Sequence, residues 1–304
     1  MSRDFLHCCF CSSTDLKESY QRQPHPVFPA IGYFTIYQCN KCRSLITYPV
    51  PSNEQLALLY NSFDGGGIQK HLQQFRSESP LNALYTQSIR RAVRRMPETI
   101  KDNSEFTWLD VGAGDGILSA ILAEKYPNAN GIAVDFHPRP ERLNGFKSVR
   151  WIQADLNTDN LNTMIPLKCI DLTISLAVLE HVQDPSKLIR SLLPLAAKNG
   201  IIYIACPASD SIAGRVMGRK WPYFIPGEHI NIPSKKGCRS MFQKLIAEQP
   251  DTDFTVSVKS ILVPYPIRYL LNFFGGTAIA KMVSPRVTLP VPSGVLEATA
   301  ICLK

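Results

Sequence analysis

From Thr107 onward, short apolar runs alternate with segments whose apolar positions recur at helical spacing. The runs predict strands at 107–112, 131–135, 149–153, 170–176, 200–205, 254–262 and 294–303. The intervening periodicity predicts helices at 116–126, 160–165, 186–197 and 235–247. Such alternation implies an α/β domain, a seven-stranded and mostly parallel sheet with helices on both faces. Upstream the pattern changes. "GYFTIYQC" alternates as a strand does, Pro49 and Pro51 stop it, and Ser52 is placed to cap a short helix at 53–60. Gly65–Gly67 permits a flexible loop, and a longer helix is predicted from Ser79 to about Arg95. Three regions follow: a small domain at 1–50, a helical connector at 51–104 and the α/β domain at 105–304. Insertions near 207–233 and 263–293 are placed to cover a substrate.

The first strand of the α/β domain runs into "WLDVGAGDG", Trp108–Gly116, and the second ends at Asp135 in "GIAVD". Gly112, Gly114 and Gly116 are alternate residues, so the turn that carries them and Ala113 can pass close to a ligand. An acid about 20 residues further on is placed to accept hydrogen bonds from two ribose hydroxyls. A dinucleotide fingerprint needs glycine at position 117, where this chain has Ile117, and the Asp115 carboxylate would repel a pyrophosphate. It tolerates a cofactor bearing an amino-acid cation, and Asp110 is placed to receive that ammonium. S-adenosylmethionine therefore fits better than NAD. After the third strand, in "IQADLN", Asp155 is placed to accept from the adenine amino group, its plainer role being a helix cap. Leu156 or Phe136 packs against the adenine ring, and Leu176–Val178 passes beneath the methionine part.

Glu180 and His181 leave the fourth strand beside the expected sulfonium. An imidazole there can take a proton from a hydroxyl or a carbon acid. The plainer reading is that the pair shapes the turn before the helix begun by Asp184–Pro185. After the fifth strand comes "GRKWPYFIPGEHINIPSKKGCRSMF". Its Trp221, Tyr223 and Phe224 are suited to stacking on a ring or to packing a loop over the sheet. His229, beside Glu228 and ahead of a helix that Ser234 can cap, is a second candidate base. Glu180, His181, Tyr223 and His229 are thus the catalytic candidates.

Five of the nine cysteines lie in the first 42 residues. Cys8 and Cys11 form one C-x-x-C and Cys39 and Cys42 another, with 27 residues between the pairs. Two such knuckles complete a tetrahedral site for structural zinc, as in a zinc ribbon. A segment this small cannot bury enough apolar surface, so the metal would supply its folding energy. Cys9 either replaces Cys8 in another register or is a neighbour. The net charge of +8 favours anionic partners. Arg90, Arg91, Arg94 and Arg95 share a helical face, suited to gripping phosphates or to facing solvent. Met1–Thr14 has no signal-type apolar core and no run reaches the ~18 apolar residues of a spanning helix, so a cytoplasmic protein is expected, with Ile261–Ala280 as a candidate for peripheral lipid contact.

"WLDVGAGDG…AVD…QADL…VLEHVQDP" resembles class I S-adenosylmethionine-dependent methyltransferases over roughly 105–304, which have a Rossmann-like sheet. "CxxC…YQCNKCRSLITYPVPSNEQLALLY" resembles the zinc-binding domain of a bacterial group that includes deoxysugar C-methyltransferases and enzymes of surface-polysaccharide biosynthesis. The core is also similar to ubiquinone-biosynthesis O-methyltransferases. The resemblance implies a methionine-side loop of Asp110, Gly112, Gly114 and Gly116, with Asp135 on ribose and Asp155 on adenine. "GEHINIPS" matches the family's His-containing segment. One departure is Arg43, where the second knuckle usually carries glycine. The resemblance implies S-adenosylmethionine as methyl donor but covers several acceptor types; a small, phosphorylated acceptor such as a nucleotide-linked sugar is the leading expectation. RNA and a lipid-linked or quinone-type acceptor are the alternatives.

Overall fold

The computed structural model describes residues 6–61, 80–97, 105–249, 253–273, 275–284 and 287–304. The predicted Gly65–Gly67 loop lies outside them. Near the N-terminus, β1 (Leu16–Pro24), β2 (Tyr33–Cys39) and β3 (Leu45–Tyr48) form an antiparallel sheet, which carries both C-x-x-C pairs at its ends. Helices α1 (Asn53–Asn61) and α2 (Pro80–Val93) follow, close to the predicted bounds.

The second sheet has seven strands: β4 (Thr107–Val111), β5 (Asn130–Asp135), β6 (Val149–Gln153), β7 (Ile170–Leu176), β8 (Ala196–Pro207), β10 (Phe254–Pro266) and β11 (Thr288–Cys302). Their order is β10-β11-β8-β7-β4-β5-β6. The five from β4 to β8 are mutually parallel, and β11 runs antiparallel to both its neighbours. The chain therefore has the predicted Rossmann-like sheet. Its central strands are apolar on both faces and their residues are almost wholly buried, as a sheet covered on two sides demands. Helices α3 (Ile117–Lys125), α4 (Pro185–Leu192), α5 (Ile212–Met217) and α6 (Lys235–Ala247) connect the strands, and α7 (Ile267–Phe273) and α8 (Thr277–Ala280) join β10 to β11. Among the described residues, no helix is long and apolar enough to cross a membrane.

Three elements differ from expectation for local reasons. The predicted helix at 186–197 ends at Leu192 and passes through one tighter turn, Leu193–Leu195, because Pro194 offers no N–H to continue it. The helix expected at 160–165 is a single turn, Leu161–Thr163. Strands β10 and β11 run on to Pro266 and back from Thr288, beyond the predicted 262 and 294. Pairing of β11 with β8 stops at Val295, so the extension is a two-stranded ribbon whose free edges tolerate Pro264, Pro266, Pro290 and Pro292.

Two of the four arginines have a use different from either expected one, while Arg90 and Arg94 are exposed as a solvent-facing side would be. Arg91 Nη1 and Arg95 Nη2 donate to the Glu297 carboxylate on β11, at 3.1 and 2.6 Å. The Tyr203 hydroxyl donates to the same group at 2.9 Å. Burial pushes this carboxyl up, but the hydrogen bonds of Arg91 and Tyr203 and the charge of Arg95 outweigh it and hold Glu297 below the usual glutamate range. Glu297→Ala would leave these donors facing a void and is expected to lower stability by about 2 kcal/mol. Urea denaturation checks this; a loss near zero would mean that water replaces the carboxylate without penalty.

The two sheets are joined. β9 (Asn231–Ile232), from the segment after β8, pairs with β3 through Leu45↔Ile232 and Ile46↔Asn231. The Ser234 hydroxyl donates to the Cys42 carbonyl, and Lys244 donates to the Ser12 hydroxyl at 2.9 Å. At Gly237, in the first turn of α6, a Cβ would meet Ser44 Oγ at 2.2 Å, so glycine is required for α6 to lie against the second knuckle.

Candidate active site

The carboxyl ends of β4, β5 and β7 come together, as neighbouring parallel strands must. The turn after β4 holds Gly112 at φ 71° and Gly114 at φ 54°, a left-handed conformation that glycine adopts without strain. A Cβ at Gly112 would lie 2.4 Å from Val178, so this turn packs directly on the exit of β7. At Gly114 a Cβ would meet nothing within 4 Å, and the backbone there faces open space. Ala113 is buried in the same turn. Gly116 ends it ahead of α3.

Asp135 closes the turn from β5. Its Oδ2 accepts from the Gly114 N–H at 2.7 Å, and its Oδ1 accepts from the His137 N–H at 2.9 Å and lies 3.0 Å from His137 Nδ1. Burial pushes Asp135 up, but the His137 ring, the His137 N–H and the Gly114 N–H outweigh it and keep its pKa below the ordinary value. His137 was not among the sequence-derived candidates; its position two residues past the acid was the only signal. Asp110 lies beneath the turn, 2% exposed, and its Oδ2 accepts from the Ser119 hydroxyl at 2.6 Å. Burial raises its pKa to about 7 against the pull of Ser119, and the Asp135 charge adds to the rise.

Asp155 is partly buried, and its Oδ1 accepts from the Asn157 N–H at 2.9 Å within a turn that starts no helix; the helical turn that follows is capped by Asn160 instead. Leu156 packs against the core, whereas Phe136 is 41% exposed beside Asp135 and presents its ring to solvent. Leu176 ends β7 and is buried in the same core as Ala113.

Two residues past Val178, the chain delivers the acid–base candidates. Glu180 is 1% exposed, and neither carboxylate oxygen has a hydrogen-bond partner among the described residues. Burial, with the nearby Glu228 charge, pushes it up to about 8. His181 and His229 meet edge to face at 4.7 Å between ring centroids. His229 Nδ1 lies 2.7 Å from the Tyr223 carbonyl, so Nδ1 carries the proton and Nε2 presents a lone pair. Burial and the His181 charge lower the His229 pKa to about 4, and burial lowers His181 as well. The Tyr223 ring stacks on His229 at 6.4 Å, and its hydroxyl lies 3.1 Å from that of Tyr265. The structure thus brings all four catalytic candidates together. Trp221 is buried and packs against Tyr223, donating to the Ser293 carbonyl, so its role is packing.

The arrangement is clamped. The Glu180 carbonyl accepts from the Ile230 and Asn231 N–H groups, at 2.7 and 3.2 Å. Thr47, on β3, donates from its N–H to the Ile230 carbonyl at 2.9 Å. His25 accepts from the Val27 and Phe28 N–H groups at Nδ1, so Nε2 donates to Glu228 at 3.0 Å. That bond and the charges of His181 and His229 hold the Glu228 pKa low although burial opposes it. The cysteine-bearing sheet therefore packs against the segment after β8, leaving between them a cavity of about 10 Å³, room for one water, lined by Ile36, Leu45, Thr47, Phe224 and His229.

Cys8, Cys11, Cys39 and Cys42 present their sulfurs within 4.8 Å of one another. Cys8 and Cys42 are 3.5 Å apart, Cys11 and Cys39 3.6 Å. Four converging thiols are the donor set of structural zinc. Cys9 points away, toward Asn231 Oδ1 at 3.3 Å, and is a neighbour rather than a ligand.

A family model described as a methyltransferase domain matches residues 81–245, more than half of the chain. An uncharacterized methyltransferase of Mycobacterium bovis (strain ATCC BAA-935 / AF2122/97) is 28% identical over 135 residues, 39% of this chain and 66% of the relative. A trans-aconitate 2-methyltransferase of Azoarcus sp. (strain BH72) is 28% identical over 130 residues, 42% of this chain and 49% of the relative. The chain thus spans about half to two thirds of the length of such relatives. Among solved structures, the plantazolicin methyltransferase BpumL in complex with a monoazolic desmethylPZN analog and SAH matches with a TM-score of 0.52, at 15% identity, over 81% of this chain and 94% of the other. At that identity the likeness is one of fold.

Proposed function

The chain belongs to the methyltransferase-domain family, its α/β core is an S-adenosylmethionine-dependent methyltransferase domain, and we propose that the protein methylates a small anionic acceptor such as a nucleotide-linked sugar. One observation carries this reading: the glycine turn, held by Asp135 through the Gly114 N–H, packs on Val178, two residues before Glu180 of the Glu180–His181–His229 group. In this reading Asp135 accepts from the ribose hydroxyls, Asp155 from the adenine amino group, and Asp110 faces the methionine ammonium. Phe136 and Leu156 flank the adenine. The acceptor occupies the space beside His229 and Tyr223, where its proton is removed. Its lone pair attacks the sulfonium methyl in line, the S–CH₃ bond breaks, and S-adenosylhomocysteine leaves. Most of the acceleration comes from positioning. Zinc at Cys8, Cys11, Cys39 and Cys42 holds the wall that the N-terminal sheet supplies. Titration calorimetry with S-adenosylmethionine, followed by assay of nucleotide sugars, tests the reading; failure to bind the cofactor would remove it.

RNA loses part of its support, because Arg91 and Arg95 are engaged by Glu297, although Arg90 and Arg94 are exposed. A lipid-linked acceptor is the second reading, favoured by the exposed Ile212, Val216 and Met282. Flotation with anionic liposomes would separate it from the first.

Asp110 makes the cofactor reading measurable. An ammonium beside a carboxyl of pKa about 7 stabilises its ionised form. Cofactor affinity is therefore expected to rise roughly tenfold from about pH 6 to pH 8, with proton release near pH 7, and to lose this dependence in Asp110→Asn. Calorimetry in buffers of different ionisation enthalpy reads the proton; a flat profile would remove Asp110 from the ammonium site.

A further inference from the structure

The Glu180–His181–His229 group has features that a base for methyl transfer does not require. One ligand-type atom from each residue lies within 4.8 Å of the others. A carboxylate at 1% exposure with both oxygens unpartnered is costly unless a cation or a donor meets it. His181 Nδ1 is likewise buried with no hydrogen-bond partner among the described residues. His229 is held by its Nδ1–H on the Tyr223 carbonyl, with Nε2 left with its lone pair. Imidazoles that ligate metals characteristically donate their far N–H to a carbonyl or carboxylate, which fixes tautomer and orientation. His229 does so here. The two segments carrying the donors are tied by the bonds from Ile230 and Asn231 to the Glu180 carbonyl, so the group is organised in advance. Glu228 adds negative charge nearby without ligating, since His25 occupies its Oε2.

We propose that Glu180, His181 and His229 bind one divalent first-row transition-metal ion, at a site separate from the four cysteines. Two imidazoles and one carboxylate suit zinc, iron or manganese, and three protein ligands leave coordination positions open. An acceptor hydroxyl bound at an open position would lose its proton more readily. This last role rests on the methyl-transfer reading; the binding of the ion does not.

Equilibrium dialysis of the full chain, already loaded with zinc at the cysteines, with Mn²⁺ and separately with further Zn²⁺ tests the site. The wild type is expected to take up one more equivalent of either ion than Glu180→Gln/His229→Gln, and Glu180→Gln alone to bind at least tenfold more weakly. Electron spin echo of Mn²⁺ bound to the wild type is expected to show imidazole nitrogen, a readout that needs no variant. Equal uptake of both ions by wild type and double variant, or a manganese signal without nitrogen coupling, would overturn the site. Calorimetry with S-adenosylhomocysteine on the same samples keeps the two readings apart. Cofactor binding without metal uptake ends this inference alone, and metal uptake without cofactor binding ends the methyl-transfer reading alone.

Discussion

Asp135→Ala is expected to weaken S-adenosylmethionine binding by about 10²–10⁴-fold. A carboxylate accepting from two ribose hydroxyls makes two charge-assisted hydrogen bonds, each about 1.5–3 kcal/mol, and the variant forfeits both. The same carboxylate also holds the Gly114 N–H at 2.7 Å and the His137 N–H at 2.9 Å. The turn should therefore loosen as well, with a stability loss of about 1–3 kcal/mol that leaves the sheet folded. Calorimetry reads the first effect and thermal melting the second. His137→Ala separates them, since it keeps the acid and removes only the ring beside it; a loss of about tenfold is expected there. Affinity for Asp135→Ala within threefold of wild type would remove the ribose assignment.

Cys39→Ser is expected to abolish stoichiometric zinc and to destabilise the protein by several kcal/mol. Structural zinc contributes apparent free energies of about 10–16 kcal/mol in isolated finger peptides, which sets an upper bound. Part of that is retained here because the N-terminal sheet is also docked on the core through β9 and Ser234. The damage should spread along the same links. Thr47 bonds the Ile230 carbonyl, and Ile230 bonds the Glu180 carbonyl, so loss of β3 reaches the acid–base group. Metal analysis and urea denaturation check the first effect, and methyl transfer to an identified acceptor the second. Unchanged zinc content with an unchanged midpoint would sink the four-cysteine site.

Most of the α/β core was legible because its signals are local. Most of the parallel strands are apolar runs, and each glycine of "GAGDG" answers a backbone demand visible in the spacing. The two C-x-x-C pairs were legible for the same reason, since a ligand set has its own spacing. Helix ends were less so. Pro194 stops one helix within a segment whose apolar spacing continues, and periodicity does not register that. The hairpin beyond Ile261 was hidden by its prolines, which read as breaks and are instead tolerated on a free edge.

The arginine face shows the limit most clearly. Spacing placed Arg91 and Arg95 on one side of a helix, but Glu297, some 200 residues away, is their partner. No window along the chain contains both. His25 and Glu228 form a similar pair across the join between the two sheets.

By itself, then, the sequence determined the sheet, the glycine turn, the acid at the end of β5 and the four sulfur donors. Each is encoded within a few tens of residues by periodicity, backbone freedom or ligand spacing. Only the tertiary structure decided that β9 would close the N-terminal sheet, and that His229 would meet Glu180 and His181. It also decided that the arginines would neutralise Glu297. These outcomes depend on which distant segments share one buried space, where an unpaired charge or donor is costly and must find its partner.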